Sequence, residues 1–218
     1  MKFDAKTTQI LRNFAVINPQ IIFKEGNVLK TIAASKTIFA QATIDIEIDK
    51  TFGIYDLPKF LSAISLFDDP ELILGDSAVT IKSGKERLDY TFSEPSLILS
   101  PPDKNIKLPS VDVEFELKND TLVRVQKAIG IIGSPEIAFV GDGEKIYVTT
   151  VNSKDSTDWS FRIEVAETDK TFKMIYLTDN IKVLPGDYQV AISSKGISQF
   201  TGELVTYWIA IESNSEFN

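Results

Sequence analysis

The second half of this 218-residue chain repeats the first. Thr51-Phe52-Gly53-Ile54-Tyr55-Asp56-Leu57 returns as Thr171-Phe172-Lys173-Met174-Ile175-Tyr176-Leu177, with two residues instead of one between Thr-Phe and Ile-Tyr. Each copy leads into a short helix-like run, 58–67 in the first half and 178–184 in the second. Each is preceded by a longer amphipathic helix and a series of strands. Lys2-Phe3-Asp4-Ala5-Lys6 opens one half and Glu114-Phe115-Glu116-Leu117-Lys118 the other. Two domains of roughly 110 residues each fit the length. A duplicated, strand-rich unit with two helices suits a ring of repeated domains better than a catalytic pocket.

Helical periodicity covers 5–17, with Ile10, Leu11, Phe14 and Ile17 on one face, Asp4 as N-cap, and Asn18-Pro19 as the stop. It returns over 119–132 with Leu122, Val125, Ala128 and Ile129 inward. Strands are expected at 21–24, 28–34, 38–44, 47–54, 71–74, 78–82 and 86–92 in the first half. In the second they are expected at 136–140, 145–151, 159–167, 171–177, 187–193, 196–203 and 205–212. Glu25-Gly26-Asn27 and Gly141-Asp142-Gly143 read as hairpin turns. Residues 93–110 hold four prolines and no helical period, so they read as a connector between domains 1–92 and 111–218. The fold class is α+β, with two helices on antiparallel sheets in each domain.

The chain has no cysteine and no histidine, which removes thiol catalysis, Ser-His triads and zinc sites built on those residues. It also lacks a phosphate-binding glycine loop. No catalytic residue, metal ligand or cofactor is expected. Asp68, Asp69 and Glu71 sit where a helix ends beside a proline and read as a turn, not a magnesium site. No apolar run approaches the ~20 residues of a membrane helix, and Met1-Lys2-Phe3-Asp4 is unlike a signal peptide. A cytosolic protein is expected.

The net charge is −8, which taken alone argues against nucleic acid. Its distribution argues otherwise. Lys6 and Arg12 lie opposite the apolar face of the first long helix, and Arg124 and Lys127 opposite that of the second, with Lys118 just before it. Lys59 and Lys182 fall in the two short helices. Acids collect in strands and turns: Asp45, Glu47, Asp49, Asp68, Asp69, Asp142, Glu144, Asp155 and Asp158, with Asp120 the main exception. The plain alternative for any one of these cations is a solvated helix face. Segregation in both halves would also give a positive surface on a negative protein.

Several segments carry a family resemblance: Ile10-Leu11-Arg12-Asn13-Phe14-Ala15-Val16-Ile17-Asn18, the run from Tyr55-Asp56-Leu57-Pro58-Lys59 to Leu66, the run from Asn180-Ile181-Lys182 to Val190, and the ending Val205-Thr206-Tyr207-Trp208-Ile209-Ala210-Ile211-Glu212. In order and end to end, the chain resembles the sliding clamps of T-even-type bacteriophages, the DNA polymerase processivity factors. The resemblance implies a clamp fold, a ring of three subunits and six domains around duplex DNA, and no enzymatic activity. It implies a polymerase and a clamp-loader ATPase as partners, in the cytoplasm of an infected bacterial host. It assigns DNA contact to Lys6, Arg12, Lys59, Lys118, Arg124, Lys127 and Lys182. It also implies an apolar pocket beside the connector for partner peptides, with Leu97, Ile98, Leu99, Tyr207, Trp208 and Ile209 as candidates; core packing is the alternative for these six. The competing reading of the whole chain is a β-rich, non-enzymatic phage structural protein. A carboxylate-based hydrolase is least favoured. Strands 86–92 and 159–165 are the candidate edges for subunit contact.

Overall fold

A computed structural model describes residues 1–103, 106–155 and 159–218. Residues 104–105 of the expected connector and Asp158 lie outside the described residues. The chain divides into two units, Met1–Lys104 and Asn105–Asn218, at a point inside the stretch read as connector.

Unit 1 runs α1 (Ala5–Ile17), β1 (Ile21–Phe23), β2 (Gly26–Ile32), β3 (Ile38–Ile48), β4 (Phe52–Ile54), α2 (Leu57–Ile64), β5 (Glu71–Leu74), β6 (Ala78–Ser83) and β7 (Glu86–Thr91). Unit 2 runs β8 (Val113–Leu117), α3 (Asn119–Ile132), β9 (Glu136–Asp142), β10 (Lys145–Val151), β11 (Arg162–Glu167), β12 (Thr171–Leu177), a 3-10 turn at Thr178–Asn180, β13 (Tyr188–Ser193), β14 (Ile197–Thr201), β15 (Thr206–Ala210) and β16 (Glu216–Phe217).

The duplication is visible bond by bond. Each long helix ends at a buried polar residue followed by proline, Asn18-Pro19 and Ser134-Pro135. Asn18 Nδ2 donates to Ile32 O at the end of β2 (3.0 Å), and Ser134 Oγ donates to Val151 O at the end of β10 (2.8 Å). The Pro19 carbonyl accepts from Leu57 N (2.7 Å) and the Pro135 carbonyl from Thr178 N (3.0 Å). Leu57 and Thr178 begin the α2 helix and the 3-10 turn, so the two halves share one path. The strand after each long helix pairs antiparallel with the strand before that point, β1 with β4 and β9 with β12. The opening segment of each half lies beside the strand that follows. Met1 exchanges backbone bonds with Leu72 of β5, and β8 pairs along β13. Three-stranded antiparallel runs complete both units, β5-β6-β7 and β13-β14-β15.

Two expectations about turns and strands are revised. The segment at Glu25-Gly26-Asn27 is not a hairpin, because β1 pairs with β4 while β2 pairs with β3. Gly26, at φ 104°, turns the chain from one sheet to the next. The strands expected at 38–44 and 47–54 are a continuous β3 followed by a short β4. Gly143, at φ 93°, does turn a hairpin, with Asp142 Oδ1 accepting from Glu144 N and Lys145 N.

The second short helix does not form as an α-helix. Only one turn of 3-10 helix forms at Thr178–Asn180, so the described residues of unit 2 hold one α-helix where two were expected. Its sequence explains this. Ile181 and Val183 are both buried, a spacing of two that suits an extended strap, and Leu184 is pushed out of helical space by Pro185. In α2, Asp56 accepts from Lys59 N (2.9 Å) as N-cap and Pro58 sits in the first turn, where its missing N–H costs nothing.

Aromatic rings fill both cores. In unit 1, Phe23 stacks on Phe52 (4.7 Å) and meets Phe60 edge-on (6.5 Å). In unit 2, Phe139 contacts Phe115, Tyr176 and Phe200 at 5.0, 5.7 and 6.2 Å. No helix among the described residues is long and apolar enough to cross a membrane.

Candidate nucleic-acid interface

Side-chain period sets which residues the helices show. On α1, burial of Ile10, Leu11, Phe14 and Ile17 leaves Lys6 and Arg12 exposed. On α3, burial of Leu122, Val125 and Ala128 leaves Arg124 and Lys127 exposed. Lys59 is exposed on α2. The three helices hold these five cations and the single acid Asp120, in a chain of net charge −8. None of the five enters an ion pair found among the described residues; Arg124 instead lies over the Phe161 ring at 5.9 Å.

The other two candidates differ. Lys118 is exposed, but its ammonium is held by Glu116 and by Asp187 (3.2 Å). The hydrogen bond it donates to Glu116, then that to Asp187, raises its pKa. Asp187 is also the cap of α3. Its Oδ1 accepts from Asn119 N (2.8 Å), which with Lys118 holds its carboxyl below the usual value. Lys182 lies half-buried in the strap, not on a helix.

Helices α1 and α2 pack side by side, and a groove of about 310 Å³ runs between them, lined by Arg12, Ala15, Val16, Pro58, Leu61, Ser62 and Ser65. Sequence reasoning missed this groove. Its one signal was Val16, apolar but off the buried face and 62 % exposed.

The six peptide-pocket candidates separate. Tyr207 and Ile209 are sealed in the core and Trp208 is buried, so these three present no open surface in the chain. Ile98 is buried over Gly53, where a Cβ would fall 2.6 Å from its Cδ1. Leu97 and Leu99 flank it and are exposed. Around them the connector is tied to unit 1. Leu99 N donates to Gln20 Oε1 (3.2 Å), Lys24 pairs with Asp103, and Lys30 Nζ reaches Asp103 O (3.3 Å). A groove of about 170 Å³ opens there, lined by Ile22, Lys24, Glu25, Val28, Lys30, Ser100, Pro101 and Asp103.

Comparison with known proteins decides the family. Residues 2–99 match the family described as DNA polymerase processivity factor, and residues 114–213 the one described as gp45 sliding clamp, C terminal. The sliding clamp of Vibrio phage KVP40 is 30 % identical over 97 % of this chain and 99 % of its own length. The chain belongs to the sliding-clamp family. The sliding clamp of Enterobacteria phage T4 is 29 % identical over 99 % of this chain and 98 % of its own. The fold agrees: PCNA from Thermococcus kodakaraensis superposes with a TM-score of 0.71 at 16 % identity, over 96 % of this chain and 98 % of that one. These matches support the clamp reading and not the phage structural protein.

Proposed function

We propose that this processivity factor closes as a homotrimeric ring of six similar domains around duplex DNA and tethers a replicative polymerase to it. The observation that carries the reading is the charge of the helices, positive in both units of an acidic family member. Lys6, Arg12, Lys59, Arg124 and Lys127 are the contacts to phosphate, with Lys118 and Lys182 secondary because each is engaged or half-buried. Mobile ammonium and guanidinium groups give weak, sequence-blind binding, about 10⁻⁴ to 10⁻⁶ M for the bare contacts. Topology, not affinity, then retains the DNA, and the acidic remainder repels it from other surfaces.

The protein is a tether and not an enzyme. A separate loader ATPase opens the ring, since the sequence has no nucleotide-binding loop of its own. Leu97, Leu99 and the groove beside the connector suit an apolar peptide tail from the polymerase. The site of action is the cytoplasm of an infected bacterial host. Subunits join through the outer strands, β7 from one copy and β11 from the next.

Three copies of 24.3 kDa make about 73 kDa, which sedimentation across a concentration series tests directly. The loaded ring should stay on nicked circular DNA and run off linear DNA. Replacing Lys6, Arg12, Lys59, Arg124 and Lys127 by Ala should leave the trimer intact and cut loading several-fold. Equal retention on circular and linear DNA would refute encirclement.

A further inference from the structure

The two outer strands carry more information than their openness. Phe92 N donates to Ser77 O on the β6 side (2.9 Å), and backbone groups alternate between neighbours along an antiparallel strand. Leu88 and Tyr90 therefore also turn their backbone toward β6, while Arg87 and Asp89 turn theirs to the open side. On β11, Phe161 O accepts from Thr150 N on the β10 side (2.9 Å). Ile163 follows it, and Arg162 and Glu164 turn their backbone to the open side.

Side chains sort in step. Tyr90 packs on Phe60 of α2 (5.1 Å) and Phe92 on Phe52 (4.9 Å), so Leu88, Tyr90 and Phe92 mark the helix face of β7. Phe161 lies under Arg124 of α3, so Trp159, Phe161 and Ile163 mark the helix face of β11's edge. Arg87 and Asp89 lie on the opposite face, 2.9 Å apart, as do Arg162, 3.7 Å from Asp142, and Glu164, 3.0 Å from Lys145.

With Arg87 opposite Glu164, Asp89 falls opposite Arg162. Leu88 then meets Ile163, Tyr90 meets Phe161 and Phe92 meets Trp159. A slip of two residues sets Asp89 against Glu164, or Arg87 against Arg162, and like charges directly opposed repel. A slip of one sets open-side backbone against engaged backbone and turns apolar side chains to the wrong face. The irregular register at Ile146/Tyr147, opposite the step from Ala166 to Glu164, closes the matched stretch at Glu164.

We infer that a second copy of this chain is the partner of this edge, and that β7 and β11 join antiparallel in this one register, set by the crossed pairs Arg87–Glu164 and Asp89–Arg162. The inference rests on the ring reading and adds the code that makes the seam self-specific. These pairs are exposed, so the seam weakens as salt screens them.

The test uses the full chain, which has no native cysteine. Arg87→Cys with Glu164→Cys in one chain should oxidise to covalent dimers and trimers, because opposed residues lie about 5.5 Å apart between Cα atoms, within disulfide reach. Asp89→Cys with Glu164→Cys, diagonal at about 7–8 Å, should not. In sedimentation, Arg87→Glu should raise the concentration needed for trimer about tenfold, and Arg87→Glu with Glu164→Arg should restore it. A wild-type trimer in which the diagonal pair links, or the charge swap fails to rescue, overturns the register and leaves the ring standing. A wild-type monomer at every concentration overturns both.

Discussion

The same position is built in two ways in the two halves. Unit 1 places a capped helix, α2, after its repeat strand; unit 2 places an extended strap, 178–186, after the equivalent strand. The helix satisfies its own backbone, while the strap borrows tyrosine hydroxyls. Leu184 N donates to Tyr207 Oη (3.1 Å) and Tyr188 Oη donates to Leu184 O (2.7 Å). Unit 2 thus buries three tyrosines, Tyr176, Tyr188 and Tyr207, where the unit 1 core is phenylalanine with Tyr90 at its edge. The long helices differ too. α1 is capped by its own Asp4, which accepts from Thr7 N (2.6 Å), while α3 borrows Asp187 from the foot of β13. A duplicated fold keeps its path while the groups that satisfy it change.

Core substitutions test whether the two units are separate structures. Phe23→Ala and Phe139→Ala should each cost about 3–5 kcal/mol. Amide exchange should localise the loss to the unit that carries the change; faster exchange in both halves would show one shared core. Next comes the strap. Tyr207→Phe should cost about 1–3 kcal/mol by leaving Leu184 N–H unsatisfied, and speed exchange at that amide. Unchanged exchange would show that the strap is held by Ile181 and Val183 alone.

Alkali should separate the units further. Burial pushes the Tyr188 hydroxyl up to about 12, and raises Tyr176 and Tyr207 as well, from an ordinary value of 10.0. The unfolded chain loses these protons first. Stability is therefore full below pH 10 and falls as pH rises from 10 through the folded values. Unit 2 should melt first in base, and absorbance at the tyrosinate band should rise together with that transition. Tyrosinate formation without unfolding would contradict the burial.

The caps come last. Asp4→Ala and Asp56→Ala should each cost about 1 kcal/mol, read by chemical denaturation. Asp4, bonded by Thr7 N, and Asp112, bonded by Ser194 N and the Ser110 and Ser194 hydroxyls, have carboxyls held below 3.8. Their contribution is present above pH 3.8 and lost as pH falls through the lower folded values. Asp112→Asn should flatten that acid limb slightly; no change would show solvent screening has removed the effect.

Helices 5–17 and 119–132, and strands 71–74, 145–151 and 171–177, were legible residue for residue, because period, caps and prolines are local signals. The split of α2 from the strap was misread, since Thr178-Asp179-Asn180 resembles a helix start and the tyrosines that hold the alternative lie 4 and 23 residues from Leu184. The cations on the helices were legible from period alone. The 97–99 trio was not, because only the contact with Gly53 shows that Ile98 turns in while Leu97 and Leu99 face out.

By itself the sequence determined the duplication, the helix faces and the segregation of charge, all products of spacing along one chain. Tertiary structure decided which hydroxyl, carboxylate or carbonyl completes each element. Asp187 and Tyr207 lie 68 and 23 residues from the backbone groups they complete, and a hydrogen bond depends on where two groups meet in space, not on how many residues separate them.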